Sequence, residues 1–296
     1  MLRRHRRPDL FAPDRGLQAR MVVAAVCTPL IVLACVAAVI LLAPLKVAAA
    51  LGVAATIGIG ASIRERRRRP QAQPVTPAQA PELHAIVDRL CVVADLPKPE
   101  IVIEPEDQPN SWLVGLSRGR ARLHVTRGLL ELLPAAELEA VIGHELAHLM
   151  HRDAAVMTAV GGPGAVLLDG GLRMTRGGAW FLMAGGFVAA AVGRVSQLGT
   201  QALSRHRELA ADAGSAALTG HPAALASALR RISGELRLVP KEDLRVAAFR
   251  DVFHLLPVGE AKGEGRSLTA THPPLAKRIE RLERLEHQMQ AARLPA

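Results

Sequence analysis

The segment Val141-Ile-Gly-His-Glu-Leu-Ala-His-Leu-Met-His-Arg-Asp153 constrains this chain more than any other, because it asks one helix to serve both core and chemistry. It contains H-E-x-x-H as His144, Glu145 and His148. Residues four apart on an α-helix share a face, one turn above each other. Two imidazoles so placed can grip one metal ion, with Glu145 beside them in reach of a water on that ion. The flanks read as helix: Pro134 suits a first helical position, and Glu137 and Glu139 favour the positive N-terminal end. Leu138, Val141, Ile142, Leu146 and Leu149 form an apolar stripe that buries the helix. His151 shares the face of His148 but lies about 10.5 Å along the axis from His144, which makes it an outer residue rather than a ligand.

A catalytic zinc has three protein ligands and keeps a fourth position open, so the chain must supply one more. Ser204-Arg-His-Arg-Glu-Leu-Ala-Ala-Asp212 offers Glu208, with Asp212 one turn further along the same face. A buried carboxylate pair needs a positive partner, and a metal with its histidines would serve. Asp212 would then hydrogen-bond a ligand histidine and fix its ring. The alternative is an exposed helix in which Arg205 and Arg207 pair with these acids.

Charge and composition set the surroundings. Half of the 296 residues are apolar, yet aromatics are 2% and tyrosine is absent, so the core is built from Ala, Val, Leu and Ile, which favours helices. The net charge of +10 is local: residues 1–70 carry twelve Lys/Arg against three Asp/Glu, leaving 25 against 24 in the rest. Met21 to Ala43 is uncharged over 23 residues and Val47 to Ile63 over 17, which reads as two membrane helices rather than a cleaved signal peptide. Six arginines precede the first span and five follow the second (Arg64, Arg66, Arg67, Arg68, Arg69), with only Lys46 between them. The positive-inside rule places both flanks in the cytoplasm. The arginine cluster is a membrane-surface anchor, and no nucleic-acid partner is expected. Cys27, Cys35 and Cys91 have no C-x-x-C spacing and read as small buried hydrophobes.

The expected fold is mainly α with a small β-sheet: N-terminal transmembrane helices, then a zincin-like metallopeptidase domain. Residues 1–70 hold the basic N-terminus and two spans, 71–80 a Pro/Gln/Ala-rich linker, and 81–296 the domain. From Pro81, Leu83, Ile86, Val87 and Leu90 give an amphipathic helix ending near Asp95-Leu-Pro97. Ile101–Ile103, Ser111–Leu116 and Leu123–Thr126 read as strands, with Arg118-Gly-Arg120 as a turn and Gly128–Leu133 as a short helix. Ala154–Leu168 and Ala179–Gly193 are uncharged stretches of 15 residues, making 154–203 a hydrophobic helical hairpin. It is membrane-inserted, buried or interfacial; length alone does not separate these. Gln201–Thr219 and Ala223–Leu238 read as helices, Pro257–Arg266 as a loop, and Leu275, Ile279, Leu282 and Leu285 as the stripe of a terminal helix with its charges in solvent.

Five blocks occur together in order: N-S-W-L-V-G (110–115), G-L-L-E-L-L (128–133), G-H-E-L-A-H-L-M-H-R-D (143–153), S-R-H-R-E-L-A-A-D (204–212) and T-H-P-P-L-A-K-R-I (271–279). In these the chain resembles the HtpX-like integral-membrane zinc metallopeptidases of the gluzincin clan, a family that includes the CAAX prenyl endopeptidases. The resemblance covers roughly residues 80–285. It implies one Zn2+ per chain held by His144, His148 and Glu208, Glu145 as catalytic base and Asp212 as the carboxylate behind a ligand. It also implies that Asn110 begins an edge strand receiving the substrate backbone, with Trp112 where Phe is usual. Leu209 stands where an aromatic is common. An oxyanion donor cannot be tyrosine; Arg205, His206 and His272 are the candidates, His272 also reading as a contact at a helix N-terminus. The expected activity is a multi-pass inner-membrane endopeptidase facing the cytoplasm, acting on membrane or misfolded proteins in a lipid bilayer. The alternative is a non-catalytic membrane scaffold or adaptor with a structural zinc, but structural sites fill all four positions, often with Cys, and no cysteine lies nearby.

Overall fold

Short apolar runs rich in β-branched and aromatic residues become strands here, and stretches with apolar residues at helical period become helices, sorted into two units. The computed structural model describes residues 45–68, 73–115, 117–176, 180–238 and 272–292, with scattered positions from 19 to 41. The N-terminal arginines, most of the first apolar run and the loop Pro257–Arg266 lie outside the described residues. One unit comprises residues 72–155 and 205–296, and the other residues 19–71 and 156–204.

The first unit carries the sheet. Strands β1 (Glu100–Glu104), β2 (Ser111–Val114) and β3 (Arg122–Thr126) stand in the order β1-β3-β2, with β1 parallel and β2 antiparallel to β3. This leaves β2 as an outer strand. The Pro-rich stretch expected as a linker is tied to the other side: Pro74 bridges Val102, and the Val75 amide donates to the Ile101 carbonyl at 2.8 Å. Numbering the helices in chain order, α1 (Leu45–Arg68) belongs to the second unit, while α2 (Pro81–Ala94) buries Leu83, Ile86, Val87 and Leu90 as its spacing predicts. Helix α2 ends at Asp95, whose φ of 53° is a left-handed turn that aspartate tolerates. After β3 comes α3 (Arg127–Leu132), capped by the Thr126 hydroxyl accepting from the Leu129 amide at 3.2 Å.

Helix α4 (Ala135–Met150) is the H-E-x-x-H helix. Pro134 is its N-cap, extended at ψ 158°, not its first helical residue. Its whole predicted stripe, Leu138, Val141, Ile142, Leu146 and Leu149, is buried in one core with residues of α2, β3 and α7 (Pro222–Leu238). The terminal helix α8 (Leu275–Ala291) packs on α7 and adds Leu282 to this core.

The apolar hairpin forms α5 (Asp153–Met174) and α6 (Trp180–Thr219). Helix α6 runs 40 residues without a break, so the second arm of the hairpin and the Glu208 segment, read as separate helices, are one. Both helices are long and apolar enough to cross a membrane, with 28% and 33% of their most apolar windows buried. Leu172, Trp180, Phe187, Val195 and Leu198 are exposed on them, as are Val53, Ile59 and Ile63 on α1. Within this second unit glycines set the helix spacing. A Cβ on Gly170 would fall 1.7 Å from the Ala54 carbonyl oxygen, and one on Gly58 2.3 Å from that of Val166.

Candidate metal centre

Two helices of the first unit make the centre. The α4 backbone meets the C-terminal part of α6 at small residues: a Cβ on Gly214 would sit 2.6 Å from Ala147 Cβ, and one on Gly143 3.2 Å from Ser215 Oγ. The Ser215 hydroxyl donates to the Ala140 carbonyl at 2.6 Å, locking the approach. This closeness brings Glu208 to the histidines. His144 Nε2 and His148 Nε2 are 3.1 Å apart, with their rings edge to face. Glu208 Oε2 is 3.6 Å from His144 Nε2, and Oε1 is 3.5 Å from His148 Nε2. A tetrahedral zinc with bonds of 2.0–2.1 Å spaces its ligand atoms about 3.3 Å apart, so the donor set and its dimensions fit that ion.

The tautomers agree. Each ring turns Nδ1 to a carboxylate: His144 to Asp212 Oδ1 at 3.0 Å, His148 to Asp153 Oδ2 at 2.6 Å. With the protons assigned to Nδ1 from these partners, both Nε2 lone pairs face one point, an arrangement that a cation there would stabilise.

Glu145 is buried beside the histidines, and its Oε1 accepts from the Ser111 hydroxyl at 3.0 Å. Burial pushes the Glu145 carboxyl above its ordinary value, against the pull of His144, His148 and Ser111. A raised carboxyl suits a group that must take up and release a proton near neutral pH. For His144, burial lowers the imidazole, but Asp212 and Glu208 outweigh it and leave it raised. His272 is buried and feels the charges of Glu208, Arg278, His144 and His148; burial drives it down to about 4, so its ring is neutral at pH 7.

A model described as peptidase family M48 matches residues 77–286. The chain belongs to peptidase family M48. Protease HtpX homolog 2 of Methanosarcina mazei is 40% identical over 230 residues, covering 74% of this chain and 77% of that one. Protease HtpX homolog of Moorella thermoacetica is 41% identical over 236 residues, covering 75% and 78%. Protease HtpX homolog 1 of Streptomyces coelicolor is 40% identical over 227 residues, covering 73% and 74%. A solved structure, that of S. mikatae Ste24p, matches with a TM-score of 0.45 at 15% identity over 72% of this chain; the chain spans about half of that protein, 52%. M48 membership makes the protein a metalloprotease, a hydrolase of peptide or protein substrates, and implies a metal.

The M48 chain brings His144, Glu145, His148, Glu208, Asp212 and His272 together. Asn110 sits just before β2, buried, its amide donating to Thr126 Oγ1 at 2.8 Å and its carbonyl accepting the Thr126 amide at 3.0 Å. Trp112 alternates with Ser111 along β2 and stacks on His124, centroids 5.0 Å apart, so its ring is on the face away from Glu145. Arg205 is half-buried; Arg207 pairs with Asp153, and Arg278 with Asp212 and Glu208. His151 is exposed, at the end of α4.

Sequence reading missed four residues. Arg278, assigned with the other charges of α8 to solvent, is fully buried: its guanidinium gives Asp212 two hydrogen bonds, 2.9 and 2.7 Å, and lies 3.4 Å from Glu208. The signal was present, since position 278 lies three after Leu275 and four before Leu282, on the apolar stripe itself. Ser111, Asp153 and Arg207 reach the centre through a strand register and a helix break that local patterns do not announce.

Proposed function

We propose that the chain is a membrane-anchored, zinc-dependent endopeptidase facing the cytoplasm, acting on membrane or misfolded proteins in quality control. What carries the reading is the convergence of His144, His148 and Glu208 from α4 and α6, with Glu145 beside them. Zinc held by those three residues supplies a Lewis acidity that side chains lack. Glu145, with one oxygen on Ser111, takes the proton of the attacking water on the other and hands it to the leaving amine. Buried His272, neither of whose ring nitrogens has a hydrogen-bond partner among the described residues, is the candidate donor to the developing oxyanion. Asp212 holds His144, and Arg278 neutralises Asp212. The outer strand β2, pinned at Asn110, is a sheet edge among the described residues along which an extended peptide can pair.

The spans at residues 1–70 and a membrane-inserted hairpin in 154–203 fit the exposed apolar side chains of α1, α5 and α6. The arginines flanking the first two spans support a cytoplasmic domain over 81–296. Glu145→Gln is the test: zinc content unchanged and cleavage of a casein or membrane-protein substrate down at least about 100-fold, in line with loss of a general base. Equal cleavage by the variant would remove Glu145 from this role.

A further inference from the structure

We infer that Asp153 is a positioning residue for the metal site, acting through His148 and backed by Arg207. The inference rests on the reading of His144, His148 and Glu208 as metal ligands.

Asp153 is 1% exposed, and a buried carboxylate persists only with partners. It has two. Oδ2 accepts from His148 Nδ1 at 2.6 Å in an aligned hydrogen bond, and Oδ1 lies 2.8 Å from Arg207 Nε. The matching contact of His144 with Asp212 is longer, 3.0 Å. Need runs the same way. The His144 side chain is 1% exposed and held by packing on every side, whereas that of His148 is 18% exposed. The ring with less packing around it has the stronger hydrogen bond to fix its tautomer and its direction.

The backbone is shaped for this contact. On an unbroken helix, a residue five positions after His148 would point about 140° away from it. Helix α4 instead ends at His151, Arg152 takes a left-handed φ of 57°, and Asp153 opens α5. The break returns the carboxylate to the side of the ring. An acid in the first turn of α5 also suits that helix end, so a purely structural role makes a different forecast.

The experiment uses the full chain in detergent, with zinc affinity read by competition against a chelator and unfolding temperature read without metal. Asp153→Ala is expected to weaken zinc by 10- to 100-fold, the usual cost of removing a carboxylate behind a ligand histidine. Asp153→Asn keeps an acceptor for Nδ1–H and an equally good helix start but no longer neutralises Arg207, so it is expected to unfold below the parent without metal, yet to fall between parent and Ala in zinc affinity. Cobalt in the Asp153→Ala site is expected to show an altered visible spectrum. If Asp153→Ala, or Asp153→Asn where Ala does not fold, binds zinc within about twofold of the parent, Asp153 does not position the ligand. A parent chain that takes up no zinc overturns the metal-site reading and this inference with it; a parent that binds while the Asp153 variants match it overturns the inference alone.

Discussion

A serine and an arginine carry much of the site's order at the scale of single residues. The Ser111 hydroxyl occupies one oxygen of Glu145 and leaves the other to face the histidines. Ser111→Ala is expected to lower kcat about tenfold with KM unchanged, since a hydrogen bond to a charged group is worth about 1.5–3 kcal/mol; unchanged kcat would deny Ser111 any part in orienting the base. Arg278 matters more to folding. Arg278→Gln strips a buried carboxylate pair of its counter-charge and is expected to cost about 3–5 kcal/mol in denaturant unfolding, with Arg278→Lys restoring only part because it lacks the planar fork. A loss below 1 kcal/mol, on the scale of an exposed pair, would mean the pair is compensated otherwise. Cys91 gives a test with a pH. Burial, then Asp88, raises its thiol to about 11, so about one in a thousand is thiolate at pH 8. In a chain with Cys27→Ser and Cys35→Ser, iodoacetamide at pH 8 should leave Cys91 intact until the chain unfolds. Labelling of the native chain at free-thiol rates would show the α2 packing to be open. The residues that read out from sequence are those whose chemistry sits in one local pattern, His144 and His148 four apart with Glu145 between them. Arg278 was hidden because an arginine in a charged helix is ordinarily solvated, and only its position on the stripe said otherwise.

At the scale of elements, the α4–α6 crossing decides whether a site exists. Gly214 allows Ala147 to pack against the α6 backbone, and a side chain there must push the helices apart. Gly214→Val is expected to destabilise the chain by about 1–3 kcal/mol and to weaken zinc retention together with it. Full zinc retention by a folded variant would show that the carboxylate reaches the histidines without close packing. The strands were legible because short runs rich in β-branched and aromatic residues were bounded by Pro97, Pro109 and the Arg118-Gly-Arg120 turn. The length of α6 was not. Sequence reading closed the apolar arm at Gly193, where charge and polar residues begin, yet Ser196 and Thr200 are compatible with helix when they bond the preceding turn, as the Thr200 hydroxyl does to the Ser196 carbonyl at 3.2 Å.

At the scale of the whole molecule, charge is concentrated in residues 1–70, which carry +9, while the near-neutral remainder supplies the centre. The apolar helix α1, most of α5 and the first part of α6 fall in one unit and the centre in the other. A chain embedded by these helices should stay with membranes through an alkaline carbonate wash and need detergent for release. Recovery in the wash would overturn the membrane reading. A reporter fused after residue 296 should behave as cytoplasmic, and periplasmic behaviour would overturn the arginine argument.

The unbroken run of α6 has a practical edge for anyone wishing to trim the protein into a water-soluble fragment. Deleting residues 156–204 would start a new helix at Arg205, and Glu208 would then lie in its first turn. The first four amides of a helix have no partners inside it, so that turn frays. The carboxylate proposed as the third metal ligand would sit on the least ordered stretch of the shortened molecule, and a graft of several helical residues ahead of Arg205 would be needed to steady it.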